Sequence, residues 1–235
     1  MPTAPYDALA PYYRQYAERR AAYCDAVDRC IAGWLSRPVS SMLDVGSGDG
    51  LRAARLATRL GVDTLVLSDP SAPMRAQCRA NHAGEVWDCA AESLPLADRA
   101  FDVVTCLWNV LGAIDAPEGH LAALRGMRKC LNPSSRLYLD VHNRYNAAAA
   151  GVPRVLARRM RDVLAPGPAN GVVSFTWEVE GQRIPSRGYL FAERELRALF
   201  AQAGLRPIEQ AFVHYDTGAR CGPWSGQMVF ALEAR

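Results

Sequence analysis

Lysine is almost missing from this chain: Lys129 is the only one among 27 basic residues, and the rest are arginine. Alanine is abundant as well, so the imbalance reads as a coding preference, and the arginine count makes no case for a nucleic-acid partner. No C-x-x-C spacing occurs among the cysteines (Cys24, Cys30, Cys78, Cys89, Cys106, Cys130, Cys221), which argues against a zinc site or a disulfide framework. Most of them lie in apolar segments, where free cysteine behaves as a small core residue. No apolar run approaches the roughly 20 residues of a membrane span. The start, MPTAPYDALAPYY, has no basic stretch leading into an apolar one, so a cytoplasmic location without a membrane partner is expected. Internal repeats and low-complexity tracts are absent too. The nearest thing to a basic cluster is Arg154, Arg158, Arg159 and Arg161 in VPRVLARRMRD. Its spacing suits a solvated helix face; an edge that attracts an anionic substrate is the second reading.

What is present is ordinary for a water-soluble globular chain: 235 residues, half of them hydrophobic, 22% charged, with a net charge of +3. That length suits one large α/β domain with a small lid. Residues 6–36 show helical periodicity, and the texture then changes to strands alternating with helices. Strands are predicted at 41–46, 64–69, 85–90, 101–108 and 136–142, with helices at 51–60, 71–81 and 118–131. Ser71 is placed to cap the second of these helices and Gly61 to end the first. Such alternation implies right-handed crossovers and a parallel, doubly wound sheet. Beyond residue 143 the rhythm breaks. A helix and loop over 144–170, an antiparallel pair over 172–191, a helix over 192–204 and closing strands at 208–215 and 226–234 are expected. The chain thus divides into a helical lid (1–37), a core (38–143), an insertion facing the substrate (144–191) and a closing segment (192–235).

Residues 43–50 read LDVGSGDG. Glycine at that density costs conformational entropy, so something must come close to this backbone. A nicotinamide-type dinucleotide site wants G-x-G-x-x-G, but Leu51 stands where its third glycine belongs, and no phosphate-binding P-loop pattern occurs. What remains is Asp44 on a strand followed by G-x-G-x-G.

LDVGSGDG resembles the first motif of the class I S-adenosylmethionine-dependent methyltransferases. The resemblance continues through VLSDPSAPM, AESLPLADRAFDVVTCLWNVLGAI, MRKCLNPSSRLYLDV and YLFAERELRALFAQAGL, in the family's order. It implies a mostly parallel seven-stranded Rossmann-like sheet with an antiparallel last strand, and S-adenosylmethionine as cofactor. Gly46, Ser47 and Gly48 would let the amino-acid tail lie against the turn with backbone N–H groups facing it, and Asp44 and Leu107 belong to the same implied set. Asp69 would accept hydrogen bonds from the ribose hydroxyls, with Pro70 and Met74 beside the adenine. The acidic residue that the family carries after its third strand is Ala90 here. The Ala91 N–H is therefore expected at the adenine ring, its amino group being left to water, Asp88 or Glu92. In the helical lid, Tyr13, Tyr16, Arg19 and Arg20 are candidates for the cofactor carboxylate, Arg20 first among them.

Methyl transfer is an in-line displacement at an activated carbon, so proximity in a dry site can supply most of the acceleration. His142 is the best-placed candidate for a general base. Trp108 and Asn109 should sit near the transferred methyl, and Tyr145, Asn146, His214, Tyr215, Asp216 and Trp224 in the walls. Asn109 and Tyr145 join His142 as candidate catalytic residues. Asp140, His142 and Asn143 are wrongly spaced for a catechol-type metal site, and no metal is expected. LWNVLG lacks the (N/D)-P-P-(Y/F) motif of enzymes that modify bases or glutamine. The reading is an enzyme that methylates an N or O atom of a small metabolite. A methyltransferase for RNA or protein and a non-catalytic cofactor-binding module stand as alternatives.

Overall fold

The computed structural model describes residues 3–95, 100–115 and 117–235. The helical stretch at the N-terminus is three helices rather than one, α1 (Ala4–Leu9), α2 (Tyr13–Glu18) and α3 (Ala21–Trp34), with a 3₁₀ turn over Ala10–Tyr12. Pro11 has no N–H to extend α1, and the chain bends again at Arg19 and Arg20. The alternating core follows: β1 (Ser41–Val45), α4 (Leu51–Leu60), β2 (Thr64–Ser68), α5 (Ala72–Asn81), β3 (Glu85–Trp87), β4 (Phe101–Cys106), α6 (Pro117–Lys129) and β5 (Leu131–Val141). Ser71 caps α5, its Oγ accepting from the Met74 N–H at 3.4 Å, and Gly61 closes α4 with φ +71°.

Several boundaries differ from the sequence pattern. β3 stops at Trp87 and β4 at Cys106, short of 90 and 108. β5 starts at Leu131, already paired with Phe101 ahead of a kink at Ser134 (φ +65°). After β5 come α7 (Ala147–Ala150), α8 (Val152–Leu164), β6 (Val172–Val179), β7 (Gln182–Tyr189), α9 (Glu193–Gln202), β8 (Leu205–Val213) and β9 (Gln227–Ala234). β8 begins before Pro207 because a register shift between Pro207 and Glu209 takes up the missing N–H. It ends at Val213, which leaves His214 and Tyr215 in the following loop.

The main sheet has seven strands in the order β3-β2-β1-β4-β5-β9-β8. All are parallel except β9, which runs antiparallel to both β5 and β8. Both faces are covered, which is why the central strands read as nearly continuous apolar runs. Leu124, Met127, Leu196 and Phe200 pack α6 and α9 on one face; Tyr23, Ile31, Leu56 and Cys78 pack α3, α4 and α5 on the other. β6 and β7 form a separate hairpin, turned at Glu180 and Gly181 with φ +49° and +74°, the pairing that a two-residue turn between twisted strands requires. Its inner face, Trp177, Val179 and Ile184, joins Leu9 in a third cluster against Tyr6, Tyr12, Tyr13 and Tyr16. No described helix is long and apolar enough to cross a membrane.

Candidate active site

The glycine turn follows β1 at the carboxyl edge of the parallel strands, where open α/β sheets hold their ligands. Gly46, Gly48 and Gly50 have φ of +75°, +59° and +78°, values that an L side chain adopts only under strain. A Cβ on Gly46 would stand 2.6 Å from both Val110 methyls, and one on Gly48 would collide with the Tyr13 ring. The expectation that the turn's N–H groups face a ligand is corrected here. Gly46 and Ser47 donate to the Ser68 carbonyl at 2.8 and 2.9 Å, and Gly48 donates to Asp69 Oδ2 at 3.0 Å. β2 uses these donors, so the turn offers bare backbone surface rather than a ring of N–H groups.

Asp69, just past β2, receives a second bond from the Ser71 N–H at 2.8 Å. Burial raises its pKa to about 6 against the lowering effect of those two bonds. Beneath the turn, Asp44 is buried and bonded to Thr105, and burial raises its pKa as well. The Ser47 hydroxyl donates to the Asp44 carbonyl at 3.0 Å. These two residues shape the turn from below and do not reach the cavity wall.

At the end of β4, Trp108 and Asn109 both have φ +61°, an uncommon conformation for bulky or branched residues and costly enough to need support. Asp140, fully buried on β5, supplies it: Oδ1 accepts from the Trp108 N–H at 2.6 Å and Oδ2 from the Tyr23 hydroxyl at 2.6 Å. The Trp108 indole N–H reaches the Tyr215 hydroxyl at 3.0 Å, and Tyr16 stacks on the indole with centroids 5.3 Å apart. Asn109 Oδ1 accepts the His142 N–H at 2.8 Å. His142 packs edge-on to Tyr215, and its Nε2 is buried without a hydrogen-bond partner. Burial, then the charge of Arg20, pushes its pKa down to about 4, so the ring is neutral near pH 7. Arg20 itself pairs with Asp216 and lies 4.5 Å over the Tyr215 ring, its Nε buried and unpartnered.

These groups meet in one cavity of about 620 Å³. Its floor holds Gly46, Gly48, Asp69 and the residues that follow β4 and β5; its roof is α1, α2 and the β6–β7 hairpin. The roof is tied to α5 at one end, and its two halves are joined to each other at the other. Ser71 Oγ donates to Asp7 at 2.6 Å and Gln77 to the Ala10 carbonyl at 2.6 Å, while Arg19 donates to the Glu178 carbonyl at 2.9 Å.

Residues 13–210 match the model of a family described as a methyltransferase domain. The chain belongs to that family. The methyltransferase shares its fold with several solved proteins at low identity. One is a S-adenosylmethionine-dependent methyltransferase from Clostridium acetobutylicum (TM-score 0.66, 11% identity, 94% of this chain and 98% of that one). Another is an amino pentose methyltransferase from Micromonospora echinaspora with S-adenosylmethionine bound (0.61, 18%, 94% and 95%). A third is a sugar N-methyltransferase from a Streptoalloteichus species (0.62, 19%, 95% and 92%). No curated protein sequence matches the methyltransferase. Its cofactor is S-adenosylmethionine, and the residues present fit that group: bare glycine backbone beside a buried carboxylate at the strand ends, with no diphosphate cradle among the described residues.

Of the residues singled out in the sequence, the structure brings Tyr13, Tyr16, Arg19, Arg20, Gly46, Gly48, Asp69, Leu107, Trp108, Asn109, His142, Asn146 and Tyr215 to the cavity. Pro70 and Met74 lie at the start of α5, Met74 fully buried. Ala91 is buried and Glu92 half-buried on a 3₁₀ turn over Ala91–Ser93, off the cavity wall. Asp88 points away to an ion pair with Arg75 at 2.8 Å. Tyr145 turns into a neighbouring cavity, where its hydroxyl donates to Asp162 at 2.5 Å. Tyr6, Trp177, Tyr189 and Arg187 also line the main cavity and are absent from the sequence reading. The alternation of apolar residues in VVSFTWEV, which puts Val173, Phe175, Trp177 and Val179 on one face, was the signal available for Trp177.

Proposed function

We propose that the methyltransferase moves a methyl group onto an N or O atom of a small acceptor. The observation that carries this reading is one roofed cavity lined by the glycine turn, Asp69 and His142. Its volume of about 620 Å³ falls within the roughly 300–1,000 Å³ of small-molecule pockets, and the roof of two helices and a hairpin supports a small acceptor over a macromolecular one.

S-adenosylmethionine, when bound, supplies a methyl group already activated on a sulfonium sulfur. Gly46 and Gly48 would admit its amino-acid tail, Arg20 and Tyr13 would meet the carboxylate, and Asp69 would accept the ribose hydroxyls. Trp108 and Leu107 orient the acceptor at the β4 end and keep water out, so that alignment supplies most of the rate. His142 lines the cavity and its ring is neutral near pH 7; its Nε2 would take the proton that an acceptor N–H or O–H gives up as it is methylated. Asn109 holds the His142 backbone and is a positioning residue.

The test combines binding and transfer. S-adenosylhomocysteine should stabilise the protein thermally and a nicotinamide dinucleotide should not. Labelled S-adenosylmethionine should then methylate members of a panel of small amines and phenols that includes compounds with and without a carboxylate or phosphate substituent. Cofactor binding with no transfer to any of them, but transfer to bulk RNA or protein, would overturn the reading.

A further inference from the structure

The wall of the cavity on the β5 side is positively charged. Arg154 and Arg158 reach it from α8, and Arg187 from β7. Among the described residues, none of the three is ion-paired. Arg158 is half-buried, its Nη1 donating to the Arg144 carbonyl at 3.1 Å. The nearby carboxylate, Asp162, is held through Oδ2 by Arg144 and the Tyr145 hydroxyl at 2.9 and 2.5 Å. Glu178 is the other carboxylate on that side of the cavity, and it faces outward to Arg183 at 3.5 Å. Asp69 is held at the far end by Gly48 and Ser71. Burial and then the neighbouring guanidinium groups of Arg154, Arg161 and Arg144 lower the pKa of Arg158, and the smaller opposing pull of Asp162 does not offset them. A chain gains nothing in stability from such an arrangement, and an incoming anion relieves it.

We propose that this wall holds an anionic group, a carboxylate or phosphate ester, on the methyl acceptor, with Arg154, Arg158 and Arg187 donating to its oxygens. The proposal rests on the reading of the cavity as the transfer site and adds the acceptor's chemical class to it. The planar guanidinium fork matches both carboxylate and phosphate oxygens. The same charges select against ammonium compounds, although the aromatic roof of Tyr6, Tyr16 and Trp177 would otherwise suit a cation. The acceptor therefore has two ends. Its nucleophilic atom lies near His142 and Trp108, and its anionic end lies against α8 and β7.

The experiment uses the full chain saturated with S-adenosylhomocysteine and measures, by calorimetry, the binding of benzoate, phenyl phosphate, benzylamine and benzyl alcohol. One or both anions should bind, more weakly as salt rises, while the amine and the alcohol do not. The stronger of benzoate and phenyl phosphate assigns the anion. In the triple variant R154Q/R158Q/R187Q, anion affinity should fall about tenfold or more, with affinity for S-adenosylhomocysteine and circular dichroism unchanged. The triple lysine variant should recover part of the loss. Failure to bind either anion, preference for the amine, or unchanged anion affinity in the glutamine variant would overturn the proposal. Failure to bind S-adenosylhomocysteine would instead sink the assignment of the transfer site itself.

Discussion

Asp69→Asn separates what the cavity does from what holds the protein together. In the folded protein burial lifts the Asp69 pKa from 3.8 to about 6, which makes the ionised form about 3 kcal/mol costlier at neutral pH than in the unfolded chain. The sign follows: a raised pKa contributes stability below pH 3.8 that is lost as pH climbs through 6. Asparagine removes that charge but accepts only one of the two N–H bonds from Gly48 and Ser71, a loss of about 1.5–3 kcal/mol. The two effects nearly cancel at pH 7. The variant's melting temperature should then stay within about 4 °C of the parent's, at about 2–4 °C per kcal/mol for a chain of this size. Relative to the parent, the variant should be about 2.4 kcal/mol less favourable at pH 4 than at pH 7, because the folded parent's carboxyl is protonated at pH 4. Affinity for S-adenosylhomocysteine should drop about a hundredfold, the equivalent of two charge-assisted bonds to the ribose. Urea melts at both pH values and calorimetry with the cofactor product measure the three quantities. A variant that melts far below the parent, or binds as well as the parent, would refute this account of Asp69.

Asp140→Ala should destabilise the protein by about 3 kcal/mol or more, since it removes a buried acceptor from Tyr23 and frees the strained Trp108 turn; Asp140→Asn, which keeps one acceptor for the Trp108 N–H, should recover most of that in a denaturant titration. Gly48→Ala sets a Cβ against Tyr13 at φ +59° and should cost about 1–3 kcal/mol together with a measurable loss of cofactor affinity. His142 has a folded pKa of about 4, below its unfolded value of 6.5, so its contribution to stability is present above pH 6.5 and is lost, by about 3 kcal/mol, as pH falls toward 4. This slope opposes that of Asp69, so His142→Gln should become more stable relative to the parent between pH 6.5 and 4, and transfer to a neutral acceptor should fall about 10²-fold or more with cofactor binding intact.

The parts of the fold legible in the sequence are those set by local pattern. The glycine spacing at 46, 48 and 50, the Ser71 cap and the alternation of apolar strands with amphipathic helices each express a short-range rule, and β1, α4, β2 and α5 appear where those rules put them. Long-range pairing hides the rest. Nothing in YDALAPYY says that Tyr6 meets Trp177 at a centroid distance of 5.1 Å, because that contact exists only once the hairpin folds back over the sheet. The turn's donors were misread for the same reason: Ser68 and Asp69 consume them from a neighbouring strand. Tyr145 follows the path of α7 and α8 and is drawn to Asp162. Asp140 did leave a mark, as the one acid in the apolar run RLYLDV; a carboxylate there must find buried donors, and Trp108 and Tyr23 are those donors.

The roof has a kinetic consequence. On the proposed reading cofactor and acceptor share one chamber, in which Tyr13 rests directly on the glycine turn; the buried Gly48 and Asp69 then lie deeper, and the exposed Arg154 and Arg187 nearer the mouth. Two ligands sharing one doorway cannot exchange independently: the deeper guest enters first and departs last. Initial-rate measurements should therefore give compulsory-order kinetics, with S-adenosylhomocysteine competing only against S-adenosylmethionine, and turnover limited by how often α1, α2 and the hairpin part company.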